Sequence, residues 1–264
     1  MQEDSKGSPG HNFDELKERF QNNIYGTPKG RLRLDLINED LDAHLAEQLG
    51  EGAWRVLDIG CGAAMISGRL AQAGHRLTLT DLSAEMLTAA RANLESLGAA
   101  QACEEWREGA MQEVLPQLQG PYDLIIVHAV LEWMDDPRPA LEQALSKLRS
   151  GGVLSLAFYN RNSLIYRNLL QGNFRKLKKN NWSHRKGGLT PQNPLDPDEV
   201  YGWLEQADMR QLCKRGIRTF YDFMQKHIAR ERSYEDVLEM ERAHSQKEPY
   251  LSLGRYIHVL YRKE

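Results

Sequence analysis

The sequence predicts an α/β protein, a parallel sheet with helices on both of its faces, and three observations carry that prediction. Short apolar runs alternate with segments of helical spacing from Arg55 to Tyr159, and parallel strands need such crossovers. One run, "RVLDI", breaks straight into the small residues "GCGAA". The next, "RLTLTD", ends on a carboxylate, Asp81, 21 residues after Gly60. In a doubly wound sheet such strand ends are where ligands bind.

The chain opens on a polar stretch, and helical spacing on either side of Gly26, Thr27 and Pro28 predicts two N-terminal helices. Val56, Leu57 and Ile59 read as a strand covered on both faces. A helix over Met65–Ala73, a strand over Arg76–Thr80, a helix over Ala84–Leu97 and a weak strand at Cys103–Arg107 follow. Strand Tyr122–Val127, helix Pro139–Leu148 and strand Val153–Tyr159 complete the alternation. Between Asn160 and Pro197 the pattern gives way to a basic run and the turn formers "GGLTPQNPLDPDE", which predicts an insertion on the rim of the sheet. A helix over Pro197–Gln206 and strands near Gln211–Phe220 and Gly254–Tyr261 finish the chain. The expected division is a helical cap at 1–50, a cofactor-binding core at 51–159, a basic substrate-side insertion at 160–197 and completion of the sheet at 198–264.

With 264 residues, 41% hydrophobic and 27% charged, the chain can bury a full core and has an ordinary globular composition. No apolar stretch exceeds strand length, and the start has no apolar core with a basic flank. Neither a membrane-spanning helix nor a secretory signal is expected, and the cytoplasm is the expected location. Cys61, Cys103 and Cys213 are scattered, without a C-x-x-C pair, which argues against a disulfide framework or a structural zinc, so no metal is expected. A net charge of -3 excludes a globally basic nucleic-acid binder. Yet Arg175, Lys176, Lys178, Lys179, Arg185 and Lys186 stand in one short run without an acid among them.

Gly60 and Gly62 allow backbone conformations closed to other residues and let a ligand approach the N–H groups, which points to a small-molecule cofactor or to a bare strand-to-helix turn. Asp81 stands where a carboxylate can accept hydrogen bonds from two ribose hydroxyls, or where it starts the helix in "DLSAEML". Ser83 is the better-placed N-cap there, leaving Asp81 to a ligand. Met111 and Gln112 share this rim, either as the wall and edge of an adenine pocket or as ordinary loop positions. His128 follows "IIV" into the crevice, as a functional group or as a satisfied structural histidine.

At these residues the chain resembles a family. "VLDIGCG", "TDLSAEML" and "DLIIVHAVLEW" resemble the motifs of class I S-adenosylmethionine-dependent methyltransferases over Arg55–Tyr159. Further out, "NIYGTPKGRLR", "HAVLEWMDDPR", "GGVLSLAFYN", "GNF" and "EPYLSLGRYIHV" resemble the tRNA 5-carboxymethoxyuridine methyltransferases across nearly the whole chain. The resemblance implies a seven-stranded Rossmann-like sheet, S-adenosylmethionine as cofactor, and a methyl ester placed on the modified wobble uridine of tRNA. It also implies that Arg33, Gly60, Cys61, Asp81, Met111, Gln112 and His128 contact the cofactor, with Gly62 completing the turn. Arg33 suits the cofactor's amino-acid carboxylate, because a guanidinium fork matches that geometry. One departure is Ala64, where a further glycine is usual, and it puts the close packing of the following helix in question.

A carboxylic acid with a pKa near about 4 is already ionised at neutral pH, so no catalytic base is assigned and position is the main requirement. Arg255 is the expected guide for the substrate carboxylate, with Tyr25, Tyr159 and Asn160 as polar or stacking neighbours. Ordinary packing is the alternative for each. The basic run would meet the phosphates of a tRNA anticodon stem-loop, with Phe174 or Trp182 stacking on an unpaired base, or it is a solvated face. Arg161, Arg167, Arg215 and Arg218 are further cations for that role. Neither DNA nor a membrane is an expected partner. Two other functions share the cofactor half: methylation of a small carboxylic acid or other metabolite, and silent cofactor binding as a partner of another enzyme.

Overall fold

The computed structural model describes residues 27–179, 191 and 193–264. Tyr25, Trp182, Arg185, Lys186 and the helix expected before Gly26 lie outside the described residues. In chain order the helices are α1 (Pro28–Gly50), α2 (Met65–Gln72), α3 (Ala84–Ser96), α4 (Met111–Val114), α5 (Pro137–Ser146), α6 (Arg161–Leu170), α7 (Phe174–Lys178), α8 (Pro197–Gln206), α9 (Lys226–Glu231), α10 (Tyr234–His244) and α11 (Tyr250–Leu253). The strands are β1 (Arg55–Ile59), β2 (Arg76–Asp81), β3 (Cys103–Glu108), β4 (Tyr122–His128), β5 (Leu148–Tyr159), β6 (Met209–Ile217) and β7 (Tyr256–Lys263).

These seven strands form one sheet of order β3-β2-β1-β4-β5-β7-β6. β1 to β5 pair in parallel, and β7 runs antiparallel to both β5 and β6. The order reverses where β1 meets β4, so the crevice for a ligand opens beyond the carboxyl ends of those two strands. β5 begins earlier than expected, at Leu148, and a register shift across "RSGG" carries it from Tyr122↔Leu148 to Leu124↔Val153.

Thr27 caps α1 by accepting from the Gly30 N–H at 3.2 Å, and Pro28 fills its first position. Leu32, Leu36, Ile37, Leu41 and Leu45 then recur at helical spacing and share one apolar cluster with Val56, Leu77 and Leu124. α1, which falls in the segment expected as a helical cap, is therefore also a wall of the core. Each such leucine contributes about 1.5–3 kcal/mol on full burial. The opposite face buries Leu141 and Leu145 of α5 and Val200 and Leu204 of α8 against Leu57, Ile125 and Leu154. The span 160–197 holds helices α6 and α7 on its N-terminal side, where an insertion with a basic run and turn formers was expected. α9, α10 and α11 fill the span between β6 and β7, a region for which no element was predicted. No described helix is long and apolar enough to cross a membrane.

Candidate functional site

After β1 the backbone turns through Gly60 (φ 66) and Gly62 (φ 57) into α2. A Cβ on Gly60 would collide with the side chain of Val130, so glycine is required there by space as well as by φ. Ala64 also takes the left-handed conformation, φ 54, and is fully buried. Its methyl fits, and α2 still starts tightly, with the Gly68 N–H donating to the Ala64 carbonyl at 2.7 Å. The Asn93 amide donates to the carbonyls of Ala63 and Ala64, holding the turn from α3.

Asp81 closes β2 beside this turn. One carboxylate oxygen accepts the Gly62 N–H and the other the Ser83 N–H, both at 2.9 Å. Ser83 caps α3 as expected, accepting from the Met86 N–H at 3.2 Å. Capping by Ser83 does not leave Asp81 wholly to a ligand, because a backbone donor on each oxygen makes the carboxylate a pin between the turn and α3, while each oxygen keeps further acceptor capacity. The Gly109 N–H donates to the Asp81 carbonyl at 3.0 Å, which brings the segment leading into α4 alongside. There Met111 is buried and Gln112 exposed.

Arg33, Asp58, Gly60, Cys61 and His128 meet around a cavity of about 40 Å³. That space suits the terminal group of a ligand and not a whole nucleoside. Asp81, Met111 and Gln112 lie farther along the same rim and do not line it. Arg33 is half-buried and, among the described residues, has no hydrogen bond or ion pair; the Tyr256 ring lies 5.8 Å from its guanidinium.

The neighbouring acids explain why that charge stays unpaired. Burial pushes the Asp58 carboxyl up to about 7, with Asp81 adding to the rise and Ser67 opposing it. Burial likewise pushes Glu132 up to about 8 against the pull of Arg33, and among the described residues no well-formed hydrogen bond reaches either of its carboxylate oxygens. Both acids resist ionisation, so Arg33 faces the cavity as an available cation. Burial also holds the Cys61 thiol well above its usual range, which makes it an inert wall.

Burial, then His258 and Arg33, hold the His128 imidazole well below its usual range. Its Nε2 lies 2.8 Å from Ser155 Oγ, which lies 3.0 Å from His258 Nε2; His258 Nδ1 lies 2.8 Å from Asp40, which accepts from Arg215 Nε at 2.7 Å. His128 is thus the cavity-facing end of a buried polar chain, a structural and a site residue at once.

Glu132 carries a pH prediction. Its carboxyl is raised from 4.5 in the fold, so its contribution is fully present below the unfolded pKa and is lost as pH rises through about 8. Glu132→Gln is expected to remove that loss, gaining about 1–3 kcal/mol over wild type between pH 6 and pH 9. Urea unfolding at the two pH values checks it, and an unchanged difference would mean Glu132 ionises freely.

On the substrate side, the Arg255 guanidinium lies 4.5 Å from the centre of the Tyr159 ring. Asn160 is a correction. Its Nδ2 donates to the carbonyls of Ser252 and Gly254 at 2.9 and 2.8 Å, and its Oδ1 accepts the Asn162 N–H that starts α6. Its polar atoms are engaged in the fold, so it braces the site instead of reaching into it. Arg215 is likewise buried against Asp40 and unavailable to phosphate. Arg175, Lys178 and Lys179 are exposed, Lys176 is half-buried, and Phe174 is 56% exposed beside them. Asp58, Glu132 and the His258–Asp40–Arg215 chain escaped the sequence reading. The only signal for the first two was an acid set inside an apolar run, in "VLDIG" and "VLEW".

The sheet order with an antiparallel last strand, the glycine turn and the acid after β2 define a class I methyltransferase. Residues 57–154 match the family model for a methyltransferase domain. The chain is 43% identical over 252 residues to the tRNA 5-carboxymethoxyuridine methyltransferases of Escherichia coli O157:H7 and of strain K12, an alignment covering 96% of each chain. It belongs to that family. A ubiquinone biosynthesis O-methyltransferase of Aromatoleum aromaticum is 33% identical over 135 residues, 51% of this chain and 53% of its own. Among solved structures, the magnesium protoporphyrin IX methyltransferase of Synechocystis PCC 6803 with bound SAH superposes with a TM-score of 0.64 at 16% identity, over 96% of each chain. At that identity it shows the shared fold.

Proposed function

We propose that this protein methylates the carboxylate of 5-carboxymethoxyuridine at the wobble position of tRNA, with S-adenosylmethionine as methyl donor, in the cytoplasm. The observation that carries the reading is the end-to-end likeness to the tRNA 5-carboxymethoxyuridine methyltransferases, joined to a pocket with an unpaired cation beside a glycine turn.

The residues fit such a donor at one end in particular. Arg33 would hold its amino-acid carboxylate, the Gly60–Gly62 turn would pass close along it, and Asp81, Met111 and Gln112 would flank the nucleoside. When bound, the donor supplies an electrophilic methyl group on a sulfonium. The protein's task is placement: a substrate carboxylate is already ionised at neutral pH, and no residue needs to take its proton. His128, with its Nε2 engaged by Ser155, is a wall and hydrogen-bonding partner and not a base.

The exposed cations of α7 and the run after it would neutralise phosphates of the anticodon stem-loop. Methylation assays on intact tRNA and on the free modified nucleoside test the reading; equal efficiency on both would replace it with a small-carboxylate methyltransferase. Replacing Lys176, Lys178, Lys179 and Lys186 by Ala is expected to weaken tRNA binding and to flatten its salt dependence by somewhat under about one log unit for each phosphate no longer neutralised. Donor affinity should be unchanged. An unaltered salt slope would make the run a solvated face.

A further inference from the structure

Asp222 is a buried carboxylate with more positive charge around it than it can neutralise. Lys29 Nζ lies 2.7 Å from it, Arg218 Nη2 3.2 Å and Arg255 Nε 4.0 Å. Among the described residues none of these three cations has another ion pair. Burial pushes the Asp222 carboxyl up, but Arg218, Lys29 and Arg255 outweigh it and hold the group below its usual range. The cluster therefore carries a surplus of positive charge in a site largely shielded from water. Among the described residues, Arg255 Nη1, Arg218 Nε and the Tyr159 hydroxyl are buried without a hydrogen-bond partner, as are both Asp222 oxygens, which meet their cations as ion pairs; Tyr159 is only 1% exposed. Buried donors left without acceptors are uncommon, and these three belong to residues of one cluster.

The fold brings these groups together at evident cost. The Arg255 N–H donates to the Arg218 carbonyl at 3.3 Å. That approach needs bare backbone, because a Cβ on Gly254 would stand 2.6 Å from Gly216 Cα and 2.8 Å from Ile217 N. Arg218 itself holds φ 59, a conformation uncommon outside glycine. The place is also apt. Tyr159 ends β5 and pairs with Tyr256 at the start of β7. The guanidiniums of Arg33 and Arg218 lie 5.8 and 5.5 Å from the centre of the Tyr256 ring, so the cluster adjoins the cavity assigned to the methyl donor.

We propose that Arg218 and Arg255, with the Tyr159 hydroxyl, form the receptor for the substrate's carboxylate, and that Asp222 is the positioning residue that holds the two guanidiniums in place. This rests on the reading of the protein as a carboxylate methyltransferase. An anion matches both the surplus charge and the unspent donors. Methyl transfer joins a carboxylate oxygen to the methyl carbon while the carbon–sulfur bond breaks and its electron pair stays on sulfur. The substrate's negative charge is thereby lost, so the receptor holds the acid and releases the neutral ester. A tRNA phosphodiester offers similar chemistry, and the test separates the two.

Arg218→Gln and Arg255→Gln are each expected to raise KM for tRNA bearing 5-carboxymethoxyuridine by about 10-fold or more. Donor affinity and the affinity for the same tRNA with an unmodified wobble uridine should stay as in wild type. Arg255→Lys should recover part of the loss. Asp222→Asn should lower the preference for the carboxylated over the unmodified tRNA, a ratio that a general loss of stability does not move. In wild type, tRNA whose wobble carboxylate has been converted to the carboxamide should compete with the substrate about 10-fold less well or worse, and this arm holds even where a variant fails to fold. Equal competition by the carboxamide, an unchanged KM in the arginine variants, or an equal loss of affinity for unmodified tRNA, as a phosphate site predicts, overturns the proposal. If wild type leaves the carboxylated tRNA unmethylated, the functional reading itself fails.

Discussion

Asp40→Asn is expected to cost about 3–5 kcal/mol of stability, because it leaves the Arg215 guanidinium buried without its counter-charge. Asp40 and His258 are fully buried, and Arg215 is 7% exposed. One Asp40 oxygen accepts from Arg215 Nε at 2.7 Å, and the other lies 2.8 Å from His258 Nδ1. Burial on its own raises the Asp40 carboxyl; His258 and Arg215 outweigh it and hold the group below its usual value. A depressed folded pKa means that this contribution is present above the unfolded pKa, near about 4, and is lost as pH falls through the folded one. The gap between wild type and variant should therefore close in acid. Urea unfolding at pH 7 and below pH 4 measures both ends. The same chain reaches His128 through Ser155, so donor affinity should fall as well. A second substitution, Arg215→Met, should restore part of the stability, since removing both charges leaves nothing unpaired. A loss under about 1 kcal/mol would place the pair in contact with water.

Residues whose role is local were readable from the sequence, and those whose role depends on distant partners were not. The strand β1, its glycine turn and the Ser83 cap are written in adjacent residues, and each stands where spacing put it. Asp40 meets His258 and Arg215 across more than 170 positions of chain, and nothing near Asp40 in "NEDLDAH" marks it as buried. Glu132 and Asp58 show the same limit, because an acid inside an apolar run announces an anomaly without naming its neighbour. α10 has a capping serine, Ser233, whose hydroxyl accepts from the Asp236 N–H, and buried Val237, Leu238 and Glu241. Its apolar face is narrow and shared with a buried glutamate, so hydrophobic spacing alone did not expose it. Asn160 was legible as a polar group at a strand end. That its amide was committed to two carbonyls more than 90 residues away was not.

Asp81→Ala should weaken the fold and the donor site together. In the fold, its carboxylate is the acceptor for the Gly62 and Ser83 N–H groups. Removing it orphans both, at about 1–3 kcal/mol for each that water does not reach. The turn keeps some support, since the Cys61 N–H still donates to the Thr80 carbonyl at 2.9 Å, so a loss of about 2–4 kcal/mol with a folded variant is expected. Donor affinity should drop by about 1.5–3 kcal/mol more, the value of a lost charge-assisted hydrogen bond. Asp81→Asn, which keeps one carbonyl oxygen as an acceptor, should fall between wild type and the alanine variant on both measures. Urea unfolding reads the first effect and calorimetric titration of S-adenosylmethionine the second. Saturating donor should also raise the melting temperature of the alanine variant less than that of wild type, because stabilisation by a ligand follows its affinity. Stability lost with affinity intact would confine Asp81 to pinning the turn. Affinity lost with stability intact would mean that the two backbone donors find water, and that the carboxylate is held in place for the ligand alone.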